Sequence, residues 1–172
     1  ACHPRSPQHG GRDCGGFAVI EFEDILSAAQ SQLALAFPRR PNVENLQVKD
    51  FDRPSFYFRW TASQVSDASR AALRVQRTLE IICFEALRDV NSQQSDLRAL
   101  LDTQQMVFRL FSAGYLTVGD RALHMTAKLG EVDSDAATVE LAFDYLDARP
   151  ETQQDYDRMR QVHLDLRAKE ER

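Results

Sequence analysis

DFDRPSFYFRW, residues 50–60, sets four aromatic side chains within five positions directly behind a charged, proline-containing entry. Such a stretch is either an exposed aromatic platform or the mouth of a buried strand. Its alternation separates the two. A strand turns successive side chains to opposite faces, so Phe56, Phe58 and Trp60 share one face and Tyr57, Arg59 and Thr61 the other. The first face is fit for a core, and a strand over Ser55–Ser63 is predicted. Pro54 stands at its start, where proline is tolerated, and Asp50, Asp52 and Arg53 form the polar loop that enters it.

The neighbouring segments extend this pattern. Leu73–Ala86 also alternates, with Leu73, Val75, Leu79, Ile81 and Cys83 on one face. The polar SQVSDAS, Ser63–Ser69, joins the two strands as a hairpin. The turn-proximal ends are polar, so this hairpin is expected to project beyond the sheet as an arm. Upstream, Val43–Lys49 reads as a short strand. Residues 21–37 carry Phe22, Ile25, Leu26, Ala29, Leu33 and Phe37 at helical spacing, with acids at the start and Pro38 and Pro41 as the stop. Downstream, a second helix over 92–113 buries Leu97, Leu100, Leu101, Gln104, Val107, Phe108 and Phe111, with Ser95 as cap and Gly114 as the C′ residue. YLTV then runs to a Gly119-Asp120 turn. Leu123, Met125, Ala127 and Leu129 alternate with polar residues, and Val139, Leu141, Phe143 and Tyr145 alternate with Thr138, Glu140, Ala142 and Asp144.

The expected fold class is α+β: a mostly antiparallel sheet with two helices packed on one face, order α-β-β-β-α-β-β-β, plus a C-terminal charged helix. Three regions are expected. Residues 1–18 are glycine- and proline-rich and read as a disordered leader; the ordered protein would start near Val19. Residues 19–149 form the α+β domain. Residues 150–172 carry mixed charge, with Tyr156, Met159, Val162, His163 and Leu166 as a narrow stripe, and read as a helical extension.

Charge and composition narrow the function. The net charge of −5 argues against a general nucleic-acid binder, which needs clustered Lys and Arg. There is no apolar run of membrane-spanning length, and no signal peptide is expected. Three cysteines, Cys2, Cys14 and Cys83, suggest reduced thiols in a cytoplasmic setting. Cys2, His3, His9 and Cys14 are metal-ligand types without the spacing of a zinc module, and no metal is expected there. Asp120, Glu131, Asp133 and Asp135 are either a calcium cluster or turn-forming acids, and the EF-hand register is absent. No phosphate loop, nucleophile elbow or zinc-protease motif is present, so no catalytic residue and no cofactor is assigned.

Two non-enzymatic readings remain. Arg59, Arg70, Arg74 and Arg77 lie on one hairpin beside Tyr57 and Trp60, an arrangement that can bind single strands. Alternatively, Tyr57, Arg59, Arg70, Arg74 and Arg77 form a subunit interface that meets acids of a neighbouring copy.

Ala36-Phe37-Pro38, the run VENLQVKDFDRPSFYFRW (Val43–Trp60) and the arginine-bearing strand ending LEIICF (Leu79–Phe84) resemble the phage tail terminator family. The likeness covers residues 21–148. It rests on the central motif Phe51, Pro54, Ser55, Phe56 and Tyr57, on Arg74 and Arg77, and on the acidic link Glu131-Val132-Asp133. The resemblance implies a structural virion protein with no enzymatic activity. It would form a hexameric ring on the tail tube protein, terminate tail polymerisation and present a surface to the neck or head-completion protein. DNA would pass through the lumen without specific binding, and Asp120, Asp135, Glu140 and Asp144 are candidates to line it. The implied location is the virion tail, with the host cytoplasm during assembly. A head–tail connector of similar build is the alternative.

Overall fold

The computed structural model of the chain describes residues 19–43, 51–89 and 94–149. The leader 1–18 with Cys2, His3, His9 and Cys14, residues 44–49 of the expected first strand, and the extension 150–172 lie outside the described residues. In chain order the elements are α1 (Phe22–Ala36), β1 (Asn42–Val43), β2 (Ser55–Asp67), β3 (Ala72–Phe84), α2 (Leu97–Phe111), β4 (Tyr115–Val118), β5 (Arg121–Val132) and β6 (Ala136–Ala148). The fold is α+β. The six strands of the described residues form one mixed sheet in the order β1-β2-β3-β6-β5-β4. Only β1 and β2 run parallel; every other neighbouring pair is antiparallel.

Alternation in the sequence becomes burial in the sheet. On β6, Ala137, Val139, Leu141, Phe143 and Tyr145 are buried, while the residues between them are partly exposed. Pairing sets Ile81 beside Val139 and Leu79 beside Leu141, which continues the apolar face across the two central strands. Phe56 lies on the same face and is fully buried; Phe58 and Trp60 pack at the margin of the core. Both helices cover this face. Ile25, Ala29 and Leu33 of α1 and Val107 and Phe111 of α2 join the same cluster. Each fully buried side chain of this size contributes about 1.5–3 kcal/mol.

Local signals fix the ends of the elements. The Glu21 N–H donates to Asp24 Oδ2 at 3.2 Å, tying the first turn of α1. Gly114 and Gly119 have φ of 83° and 59°, which follows from their turn positions after α2 and between β4 and β5. The Arg53–Pro54 peptide is cis.

Three expectations are corrected. The β2–β3 hairpin is not a free arm: β3 pairs with β6 along its whole length, to Ala72 opposite Ala148. Arg149 also donates its N–H to the Ala71 carbonyl at 3.0 Å and pairs with Asp67 at 2.5 Å. Next, α2 is capped by Asp96, which accepts the Arg98 N–H at 3.0 Å. Ser95 is buried and donates instead to the Glu85 carbonyl. Finally, the buried face of α2 is Leu100, Thr103, Gln104, Val107 and Phe111, and Leu97 and Leu101 are exposed. Helix rotation is set by what it packs on, and two polar residues find partners beneath it.

Candidate assembly surface

The face of the sheet away from the helices carries no described element. Tyr57 and Arg59 of β2, Arg74, Gln76, Thr78, Glu80 and Ile82 of β3, and Thr138, Glu140, Ala142 and Asp144 of β6 alternate onto it by register. Its charges pair across strands. Arg59 reaches Glu80 Oε2 with Nε at 2.8 Å and Nη2 at 2.5 Å. Arg74 clamps Asp144, with Nε 2.8 Å from Oδ1 and Nη2 on Oδ2, and Gln76 adds a donor at 3.4 Å. The Arg74 hydrogen bond holds the Asp144 carboxyl below its ordinary value, and Asp144 in turn raises Arg74.

Two hollows indent this face. One, of about 550 Å³, lies between the β2–β3 strands and β5–β6 near Gln64, Gln76, His124, Thr126 and Asp144. The other, of about 700 Å³, lies toward the start of β2. It is lined by the apolar Ile82 and Phe84, by Tyr57 and Arg59, and by Glu80, Glu131, Asp133 and Glu140.

The sequence candidates are divided by the fold. Tyr57, Arg59 and Arg74 share the open face, while Arg70 is exposed at the hairpin tip. Arg77 is on the opposite face. Its guanidinium lies 3.7 Å from the centroid of the Phe22 ring and reaches toward the Ile20 carbonyl at 3.5 Å. Residues 74 and 77 are three apart, so a strand must turn them to different sides. Among the acids, Glu140 and Asp144 share the open face. Asp135 sits in the β5–β6 turn and accepts Arg53 at 2.9 Å. Asp120 lies in the β4–β5 turn beside α1, lining a separate hollow with Asp24 and Ser31. The four proposed lumen acids therefore do not form one surface within a single copy.

The entry to β2 is a polar knot that sequence reading missed. Arg53 stacks over Phe51 and Phe84, at 4.7 and 4.8 Å to the ring centroids, and donates to Asp135 and its carbonyl. Arg40 lies over Phe37 and Phe56 and pairs with buried Glu85 at 2.6 Å; the Thr103 hydroxyl donates to the same carboxylate. A Glu directly behind the apolar LEIICF run was the available signal, because a carboxylate so placed needs a cation. Cys83 is buried and reduced, and burial pushes its thiol up to about 12. It is a core residue.

Among the described residues, no three His, Cys, Asp or Glu side chains are grouped to hold a metal ion. His124 lies exposed on β5, and Asp120 is separated from Glu131, Asp133 and Asp135 by the length of that strand. No helix of the described residues is long and apolar enough to cross a membrane. The chain matches no protein-family model and no curated protein.

Proposed function

We propose that this protein is a structural ring former of the phage tail terminator kind. Six copies would close a ring on the end of the tail tube, stop its polymerisation and offer a surface to the neck or head-completion protein. DNA would pass through without specific binding. The protein would act in the virion tail after assembly in the host cytoplasm, and it would carry no catalytic activity. Alongside the sequence resemblance over residues 21–148, the supporting observation is the open sheet face: one side of the sheet is buried under both helices, and the other presents paired charges and two hollows. A polar sheet face of this extent, with no described element on it, suits repeated contact between copies.

The nucleic-acid reading has less support. Arg59 and Arg74 are engaged with carboxylates and Arg77 with an aromatic ring, which leaves Arg70 as the hairpin arginine without an ion pair among the described residues. A head–tail connector would have the same build and differ in its partner. Electron microscopy of the protein mixed with tail tube protein from the same genome tests both. Rings seated on tube ends, with tube growth arrested, are expected. Uncapped tubes beside a protein that stays monomeric would overturn the proposal, and rings that bind the head vertex but leave tube ends bare would favour the connector.

A further inference from the structure

The open face bears two unlike features at opposite ends of β2. At one end is the hollow of about 700 Å³, whose lining includes Ile82, Phe84, Tyr57 and four carboxylates: Glu80, Glu131, Asp133 and Glu140. Arg59, which is bound to Glu80, and Lys128, which stands opposite Glu140 in the strand register, offset two of the four. Two negative charges, Glu131 and Asp133, remain in excess on the β5 side of the hollow, three strands from Tyr57 in the register. Such a site suits a guanidinium, which takes carboxylates at its edges.

At the other end is the tip Ala68-Ser69-Arg70-Ala71. Arg70 is the one long side chain among four residues, and it is exposed. The neighbouring arginines are already neutralised, Arg74 by Asp144 and Arg149 by Asp67. The surplus charge of the tip is therefore Arg70. Tyr57 and Asp67 are ten residues apart on one strand, so the two features are separated by about 33 Å at a strand's rise per residue. Arg70 cannot reach the hollow of its own chain.

We infer that the hollow receives the hairpin tip of a second copy, with Arg70 meeting the carboxylates of Glu131 and Asp133. The two patches do not overlap, so the contact is heterologous: each copy uses its tip on one neighbour and its hollow on the other. Contacts of this kind propagate head to tail and close into rings when the rotation between copies allows. The inference rests on the ring reading above and assigns the residues that would join the ring.

Charge exchange tests it, with sedimentation velocity as the readout. Arg70→Glu and the double variant Glu131→Arg, Asp133→Arg are each expected to weaken self-association by about tenfold or more. An equimolar mixture of the two is expected to regain association in part, because each mixed contact can restore opposite charges. Circular dichroism on each variant establishes that it is folded; all three positions are exposed, so no core contact is lost. Rings that persist unchanged in Arg70→Glu would overturn this contact and leave the ring reading standing. A wild-type protein that stays monomeric would overturn both. Loss in both variants without recovery on mixing would also overturn the pairing, since repulsion rather than a specific contact would then explain it.

Discussion

Phe56 and Phe58 sit two residues apart on one strand face, yet their surroundings differ. Phe56 is fully buried, edge-on to Phe37 at 5.2 Å between centroids, while Phe58 packs on the rim of the core. Phe56→Ala is therefore expected to cost about 3–5 kcal/mol, and Phe58→Ala less. Urea denaturation of both variants checks this; equal costs would mean that the rim is as tightly packed as the centre. Cys83 lies on the same face and its thiol is raised from 9.0 to about 12, chiefly by burial. The folded state therefore holds the proton where the unfolded chain releases it. This contribution to stability is complete below pH 9 and falls away as pH rises from there toward 12. Iodoacetamide at pH 8 is expected to modify Cys83 only when denaturant is present, with peptide mass mapping as the readout. Prompt labelling of the native protein would show that the strand opens locally.

Gln104 shows how an element is held by a residue that looks out of place. It lies on the buried face of α2, 3 % exposed, and its amide donates to the carbonyls of Thr138 at 2.7 Å and Gly130 at 3.2 Å. Those carbonyls flank the irregular pairing of β5 and β6 between Leu129 and Val132. A Cβ on Gly130 would collide with the Thr138 side chain, so the close approach needs glycine. Gln104→Leu keeps the apolar stripe but strands two carbonyls, and it is expected to cost about 1–3 kcal/mol in thermal or urea unfolding. A stability unchanged by the substitution would mean that water replaces the amide. The sequence placed Gln104 on the buried face by spacing alone, and alternation placed most of β2, β5 and β6 the same way, because both signals are local. What decided the rest was not local. The choice of β6 as the second partner of β3, the rotation of Leu97 and Leu101 into solvent, and the pairing of Glu85 with Arg40 depend on segments far apart in the chain. The opposite facing of Arg74 and Arg77 was legible from their odd spacing. It was obscured by grouping the arginines by hairpin rather than by face.

At the scale of the whole molecule, the described residues pack around one sheet face. Both helices contribute to a single apolar cluster, so neither has a core of its own to retain when the other departs. The chain has one tryptophan, Trp60, and its ring meets Phe22 of α1 edge-on at 5.2 Å between centroids. Arg77 also stacks on Phe22. Tryptophan emission therefore reports the docking of α1 on the sheet, whereas far-ultraviolet circular dichroism reports helices and strands together. If the cluster unfolds as one unit, the two signals have the same midpoint and slope in urea. Phe22→Ala separates docking from the fold. Phe22 is 40 % exposed, so its loss leaves Ile25, Ala29 and Leu33 in the central cluster but removes the edge contact of α1 on Trp60. In that variant the emission spectrum of the folded protein is expected to shift to the red, with the two transitions still coincident at a lower urea concentration. An emission change that precedes the loss of circular dichroism would show instead that α1 detaches on its own. The sheet and α2 would then be the true cooperative unit.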